Sequence, residues 1–186
     1  LRACAGEYKK NIEIAEYTIN QQTEDIRKDI FMRKPDVIAV SCYIWNWSVI
    51  LMFLPDLAKL LPGVPIWLGG PEVSYRAEEV LREFPQVTGI MVGEGEYTFR
   101  KLAEFYCERD SDKDLADADK ELHNIPGIVT RELNTGAPLT SDLADMPFWY
   151  ADGNLLEKEF KNRIVYYETS RGCPYRCSYC LSSIDK

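Results

Sequence analysis

Three cysteines near the end of the chain, Cys173, Cys177 and Cys180, are spaced as C-x₃-C-x₂-C. Three thiolates this close together in the sequence can surround one soft metal centre. A 4Fe–4S cluster usually takes four cysteine ligands, so a set of three leaves one iron open to bind and activate a substrate. The spacing therefore indicates a cluster with an open iron.

Two other uses of closely spaced cysteines fit the sequence less well. A structural zinc site takes four ligands, usually with a second cysteine pair or histidine, but His123 is the only histidine and Cys4, Cys42 and Cys107 stand singly. Cysteines this close fit disulfides poorly, and nothing in the first residues resembles a secretion signal. We interpret Cys42 and Cys107 as small buried hydrophobic residues and His123 as a surface or capping residue.

The run RGCPYRCSYC, from Arg171 to Cys180, resembles the cluster loop of the radical S-adenosylmethionine (SAM) enzymes. The resemblance implies that Cys173, Cys177 and Cys180 ligate a 4Fe–4S cluster whose open iron chelates the methionine part of SAM. It also implies that reductive cleavage of SAM releases a 5′-deoxyadenosyl radical, with electrons from a donor such as flavodoxin or ferredoxin. Tyr179 would then lie near the adenine.

Size and composition limit the class of protein. The 186 residues are 46% hydrophobic and 12% aromatic, which suffices for one domain with a core and part of another and excludes disorder for most of the chain. The formal charge of −8 disfavours a nucleic-acid surface, because phosphate binding needs clustered Lys and Arg. No apolar run has the length to cross a bilayer. We expect a cytoplasmic protein with a small-molecule or unknown substrate and no membrane partner. We interpret the mixed charges of residues 158–176 as a solvated face.

In the part of the chain that precedes these cysteines, short apolar runs alternate with helical patterns. This alternation predicts βα units around a parallel sheet. The near-continuous apolar run at residues 37–42 is typical of a strand covered on both faces. The fold class predicted is a doubly wound, flavodoxin-like or Rossmann-like α/β sheet. Its strands are predicted at 12–19, 37–42, 66–68 and 89–92, and its helices at 23–33, 48–61 and 78–84. A last helix is predicted to follow residues 93–96 and to end near residue 109.

The rest of the chain is less regular. Charged residues at 110–123 predict an exposed linker, and residues 125–139 predict a hairpin that turns at Asn134-Thr135-Gly136. Residues 162–170 predict the strand that leads into the cysteine loop, and in radical SAM enzymes this loop follows the first strand of a (β/α) barrel. We therefore place an α/β domain at 1–122, a hairpin and linker at 123–161, and the start of a radical SAM domain at 162–186.

Three predicted strands end in residues that could contact a ligand, since ligands of open parallel sheets lie beyond the carboxyl ends of the strands. Paired glycines let a bulky ligand lie against bare backbone, and glycines before a helix expose main-chain N–H groups. Tight βα turns would also explain any one of these glycines. The candidates are Ser41, Cys42, Tyr43 and Trp45 after the first strand, Gly69, Gly70, Pro71 and Glu72 after the second, and Gly93, Glu94 and Gly95 after the third.

Taken together, Ser41 and Gly69-Gly70 resemble the Ser-x-Leu and Gly-Gly elements of the cobalamin-binding fold. The whole run from Ser41 to Glu96 is similar to the N-terminal domain of B12-binding radical SAM proteins. The resemblance implies that these elements surround the nucleotide tail of cobalamin. The sequence departs from the family pattern in two ways. Tyr43 replaces the leucine of the Ser-x-Leu element. The family's Asp-x-His-x-x-Gly element and first strand would fall at or before Leu1.

Four aromatic residues accompany these loops. Tyr43 and Trp45 follow a predicted buried strand and could stack on the edge of a flat corrin ring. Trp47 and Trp67 are explained at least as well as core residues.

The two resemblances together imply a cobalamin-dependent radical SAM enzyme, and within that group a methyltransferase with methylcobalamin as methyl donor. A non-catalytic cobalamin carrier or sensor remains an alternative, and so does a relative of the tRNA methylthiotransferases, which carry three further cluster cysteines. Cys4, Cys42 and Cys107 match that second set in number only. The chain holds only the start of a barrel, so we expect this polypeptide alone to be catalytically inert.

Overall fold

The computed structural model describes residues 1–109, 120–140, 142–148, 168–175 and 177–180. The chain divides into two compact units, Leu1–Thr140 and Ser141–Lys186. The first contains a four-stranded sheet with its helices, and the second contains the three cysteines of the C-x₃-C-x₂-C run.

The first unit begins with a 3₁₀ segment, Arg2–Asn11, that is broken at Gly6. Helices and strands then alternate, as the apolar runs of the sequence predict. No helix in the described ranges has the length and apolar character needed to cross a membrane. The elements are α1 (Thr23–Arg33), β1 (Ile38–Ser41), α2 (Trp47–Leu60), β2 (Ile66–Gly69), α3 (Pro71–Ser74), α4 (Ala77–Glu83), β3 (Gly89–Met91), α5 (Glu96–Glu108) and β4 (Ile128–Val129).

The sheet has the strand order β1-β2-β3-β4. The first three strands are parallel, with Ser41 opposite Gly69 and Gly69 opposite Met91. β4 pairs antiparallel with β3, so the hairpin region extends the sheet. A bridge joins Val129 to Asn134, and the N–H of Thr130 donates to the carbonyl of Leu133 at 2.7 Å. The chain therefore reverses at residues 131–132, and the predicted turn at 134–136 is wrong.

Helices cover both faces of the sheet. Ile66 and Leu68 of β2 join one core cluster with residues of α1, α2 and α4, whereas Trp67 joins a second cluster with Leu102 and Phe105 of α5. Successive residues of a strand point to opposite faces, and Ile66, Trp67 and Leu68 are all buried. This arrangement confirms the predicted doubly wound α/β class.

β1 differs from the prediction that it is covered on both faces. Ile38 is buried, but Ala39 and Ser41 are exposed. The cluster on the α5 side draws its strand residues from β2, β3 and β4, namely Trp67, Met91 and Ile128. In the described part of the chain β1 is therefore an edge strand with one covered face.

The predicted strand at residues 12–19 is wrong, because the structure has irregular chain there. Ile14 and Ile19 are 60% and 53% exposed, so the alternation of the sequence buries neither of them. The Tyr17 hydroxyl instead donates to Asp29 Oδ2 on α1 at 2.5 Å, and its ring packs against the core. A side-chain anchor, and not a strand pairing, attaches this segment.

The helices match their predictions closely, with local differences. α1 has the predicted ends, with Gln22 as its N-cap residue. α3 was not predicted; it begins at Pro71, where the fixed φ of proline suits a first helical position. The predicted linker at 110–123 is described only at residues 120–123, which are helical instead of an extended loop, with Leu122 half-buried against the second core cluster. The predicted strand at 162–170 is described only at residues 168–170, which are irregular.

Candidate functional site

The candidate site is the carboxyl edge of β1, β2 and β3. Because Ser41, Gly69 and Met91 are aligned across the three strands, the loops that follow them lie side by side. Hydrogen bonds join the first two loops: the N–H of Cys42 donates to the Gly69 carbonyl at 2.7 Å, and the N–H of Glu72 donates to the Cys42 carbonyl at 3.3 Å. The structure thus brings the three predicted groups of residues to one edge.

Asn46 shapes the loop after β1. Its Oδ1 accepts a hydrogen bond from the Tyr43 N–H at 2.8 Å, and its Nδ2 donates to the Ser41 carbonyl at 2.9 Å. Asn46 is not among the site residues predicted from the sequence. An Asn directly before an apolar helix is an N-cap signal, but the Asn46 side chain bonds back into the loop and makes no cap bond to α2.

Two aromatic rings in this loop form a flat surface at the edge of the sheet. The rings of Tyr43 and Trp45 are stacked, with centroids 4.4 Å apart and an interplanar angle of 13°. Trp45 is 61% exposed, and the Ser41 side chain at the end of β1 is also exposed. A stacked pair of this kind, with Trp45 exposed and Tyr43 half-buried, can contact a planar apolar ligand.

The other two tryptophans are core residues, as the alternative interpretation holds. Trp67 is fully buried, and its indole N–H donates to the Tyr106 hydroxyl at 2.8 Å. Trp47 is half-buried, with its ring edge-on to Phe84 and the Arg76 guanidinium 5.4 Å from its centroid.

Gly70 and Gly93 are explained by the packing of the chain itself. Gly70 has φ 105°, and a Cβ there would lie 2.5 Å from the Cys42 carbonyl oxygen. Gly93 has φ 67°, and a Cβ there would lie 2.5 Å from Pro138 Cγ. Both positions therefore require glycine for conformational and steric reasons, with no ligand involved.

Gly69 is different. A Cβ built on Gly69 would meet Met91 Cε at 3.5 Å, which is an ordinary van der Waals distance, and its φ is not in the left-handed region. Nothing in the packing of the described chain requires glycine here. Gly69 is therefore the glycine of the pair whose bare backbone fits a bulky group lying against this edge.

Cys42 and Glu72 are less available to a ligand than the sequence suggested. Cys42 is fully buried, and burial raises the pKa of its thiol to about 12, so its side chain is a core residue and only its backbone lies at the edge. The Glu72 carboxylate pairs with the Arg76 guanidinium at 3.3 Å. The interpretation of Cys107 as a buried residue is wrong, because Cys107 is exposed on α5.

Ser74 connects the second and third loops and was also missed by the sequence analysis. Its hydroxyl donates to the Gly70 carbonyl at 2.8 Å and accepts from the Gly93 N–H at 3.2 Å. The bond to Gly70 follows a local pattern, since serine in a helix often bonds the carbonyl four residues earlier. The bond to Gly93 spans 19 residues and has no local signal.

The remaining candidates are also at this edge. Pro71 is exposed at the start of α3, Glu94 is half-buried, and Gly95 is the N-cap residue of α5. An open groove, not an enclosed cavity, lies next to this edge beside α4. The groove is lined in part by Ser74, Tyr75, Arg76, Arg82, Val92 and Asn134.

The cysteine loop belongs to the second unit. Cys173, Cys177 and Cys180 are half-buried, and Tyr179 is 90% exposed. Within the described ranges, no three His, Cys, Asp or Glu side chains are arranged to hold a metal ion. The donor set fits an iron–sulfur cluster by its chemistry, but this structure does not gather the three sulfurs. His123 in the first unit is exposed.

The fold and its carboxyl-edge loops define a doubly wound α/β ligand-binding domain. The chain belongs to the B12-binding domain family, whose family model matches residues 2–103.

Relatives with names that describe activities support this placement. The chain is 32% identical over 158 residues to the cobalamin-dependent radical SAM methyltransferase TokK of Streptomyces tokunonensis, covering 79% of this chain and 22% of that protein. It is 32% identical over 157 residues to the 2-(S-pantetheinyl)-carbapenam-3-carboxylate methyltransferase of Streptantibioticus cattleyicolor, covering 78% and 22%. It is 24% identical over 185 residues to the anaerobic magnesium-protoporphyrin IX monomethyl ester cyclase of Rubrivivax gelatinosus, covering 95% and 32%. The chain therefore spans between 22% and 32% of the length of these relatives.

Proposed function

We propose that this chain is part of a cobalamin-dependent radical SAM enzyme, and that the enzyme is a methyltransferase. One observation carries the proposal: a single chain combines a B12-binding domain with three cysteines spaced as C-x₃-C-x₂-C. The names of the two relatives that share 32% identity support it, because both are methyltransferases and one is named as cobalamin-dependent and radical SAM.

The carboxyl edge would hold cobalamin through three of the features described above. The bare backbone at Gly69 lets the cofactor approach the sheet closely, the Ser41 hydroxyl offers a hydrogen bond, and the stacked rings of Tyr43 and Trp45 offer an apolar plane. Cobalamin, when bound, supplies methyl-transfer chemistry. The chain's own contribution is to bind and orient the cofactor.

The cysteine loop would hold the cluster through Cys173, Cys177 and Cys180, with Tyr179 near the adenine of SAM. The cluster supplies one-electron reduction of SAM, so the proposal includes a cytoplasmic electron donor of the flavodoxin or ferredoxin type. The substrate is a small molecule, and the acidic charge of the chain argues against nucleic acid.

Replacing Gly69 with alanine tests cobalamin binding at the edge. We expect the affinity for hydroxocobalamin to fall by about tenfold, because a methyl group then separates the ligand from the backbone. The free energy of unfolding should stay within about 0.5 kcal/mol of wild type, since the new Cβ makes only ordinary contacts. Equilibrium dialysis and urea denaturation measure the two quantities. Unchanged affinity in the Gly69→Ala variant would show that cobalamin does not lie against β2.

Replacing Cys177 with alanine tests the cluster. After anaerobic reconstitution with iron, sulfide and an exogenous thiol as fourth ligand, wild-type chain should show visible thiolate-to-iron absorption, and Cys177→Ala should lose most of it. Cys107→Ala is the matched control, because Cys107 is an exposed cysteine of the B12-binding domain. Equal iron content and absorption in both variants would favour the alternative of a cobalamin carrier or sensor.

That alternative has one observation in its favour, because the described residues do not gather the three sulfurs around a common point. The methylthiotransferase alternative is disfavoured, because Cys42 is fully buried whereas Cys107 is exposed. In addition, no three His, Cys, Asp or Glu side chains of the described residues, and so not Cys4, Cys42 and Cys107, are arranged to hold a metal together.

A further inference from the structure

We infer that Asn46 and Ser74 are positioning residues of the cobalamin site: their side chains fix the three carboxyl-edge loops relative to one another. The inference rests on the proposed function, since it takes cobalamin as the ligand of this edge. Neither side chain need touch the ligand. Each acts through the backbone groups that it holds.

Ser74 makes the link between the second and third loops. Its hydroxyl bonds the Gly70 carbonyl and the Gly93 N–H, and both glycines have positive φ, at 105° and 67°. Glycines lose more conformational freedom on ordering than any other residue. One hydroxyl thus restrains the two most adaptable backbone positions of the site.

Asn46 restrains the first loop. The two polar atoms of its carboxamide hold two neighbouring backbone groups. Nδ2 donates to the Ser41 carbonyl at 2.9 Å, and Oδ1 accepts from the Tyr43 N–H at 2.8 Å. The exposed Ser41 hydroxyl and the ring of Tyr43 belong to these same two residues. The conformation of the groups proposed to meet the ligand therefore depends on this one amide.

Backbone bonds between Cys42, Gly69 and Glu72 complete the connection between the first and second loops. The result is a continuous hydrogen-bonded path through all three loops, in which Asn46 and Ser74 supply the side-chain links. Binding a ligand across several loops costs less free energy when the loops are already ordered. Removing either link should therefore weaken binding without removing a ligand contact.

The test compares Ser74→Ala and Asn46→Ala with Thr88→Val in the 186-residue chain. Thr88 Oγ1 accepts a hydrogen bond from the Ile66 N–H at 2.9 Å, which is the same kind of bond at the opposite end of β2. All three variants should lose stability to a similar extent. Ser74→Ala and Asn46→Ala should bind hydroxocobalamin about tenfold more weakly, whereas Thr88→Val should bind within about twofold of wild type. Ser74→Thr keeps the hydroxyl and should restore most of the affinity.

Amide hydrogen exchange supplies a readout that does not depend on the ligand. Exchange at the Gly93 amide should rise by about tenfold in Ser74→Ala and stay unchanged in Thr88→Val. Unchanged exchange would overturn the Ser74 link. If wild-type chain binds hydroxocobalamin and both edge variants bind it as well as Thr88→Val does, the positioning role is wrong. A wild-type chain that does not bind hydroxocobalamin would overturn the proposed function itself, and cobalamin as the positioned ligand with it.

Discussion

Replacing Trp67 with alanine is expected to lower the free energy of unfolding by about 3–5 kcal/mol, the largest loss that one substitution in this core should cause. Trp67 is fully buried and joins β2 to Leu102 and Phe105 of α5. Its indole N–H donates to the Tyr106 hydroxyl, so alanine removes a large apolar surface and also leaves that hydroxyl without its donor. Urea denaturation followed by circular dichroism measures the change.

Tyr106→Phe is the control that separates the hydrogen bond from the packing. It keeps the ring against the second cluster but removes the partner of the indole N–H, so we expect a loss of about 1–2 kcal/mol. Trp67→Phe should fall between the two other variants. A loss below about 1 kcal/mol for Trp67→Ala would mean that α5 does not pack on β2 as the structure shows.

Short parallel strands can be predicted from the sequence because burial on both faces constrains their residue types strongly. A central strand such as β2 must be apolar at every position, because helices cover both of its faces. Residues 66–68 are all apolar and all buried, as this rule predicts. The same rule failed for β1, whose sequence at 37–42 is just as apolar, because the α5 side of the sheet is covered from β2 onwards. Coverage depends on where a distant helix packs, which a local run of residues does not encode.

Two segments are predicted wrongly because their contacts, and not their residue types alone, decide the structure. The alternation at residues 12–19 resembles a strand, but the segment is anchored by Tyr17 to Asp29 on α1. The Asn and Gly of residues 134–136 predict the hairpin turn there, whereas the Val129–Asn134 bridge places it at residues 131–132.

The candidate site shows the same limit at single residues. Its position could be predicted, because ligands of open sheets lie at the carboxyl ends of the strands. The hydrogen-bond partners of Asn46 and Ser74 could not be predicted. Ser74 bonds a residue 19 positions away, and the Asn46 side chain bonds the loop before it instead of capping α2. Likewise Gly69 and Gly70 are adjacent and alike in sequence, but only Gly70 lies against the Cys42 carbonyl.

That difference leads to the second large effect. Gly70→Ala is expected to lower the free energy of unfolding by about 3 kcal/mol, from two causes that add. Gly70 has φ 105° and ψ 170°, a backbone region that is essentially restricted to glycine and costs a residue with a Cβ about 1–3 kcal/mol. The new Cβ would also lie 2.5 Å from the Cys42 carbonyl oxygen, which is a backbone atom held by the N–H of Glu72 and cannot move aside without breaking that bond.

Gly63→Ala separates the two causes, because Gly63 has φ 83° and a Cβ added there would meet nothing within 4 Å in the described part of the chain. It should therefore lose only the conformational part, about 1 kcal/mol. Equal losses for Gly70→Ala and Gly63→Ala in urea denaturation would contradict the close approach of Cys42. If Gly70→Ala loses about 3 kcal/mol and the neighbouring Gly69→Ala almost nothing, the two glycines serve different purposes. Gly70 then holds the first two loops together, and Gly69 leaves the edge open to a ligand.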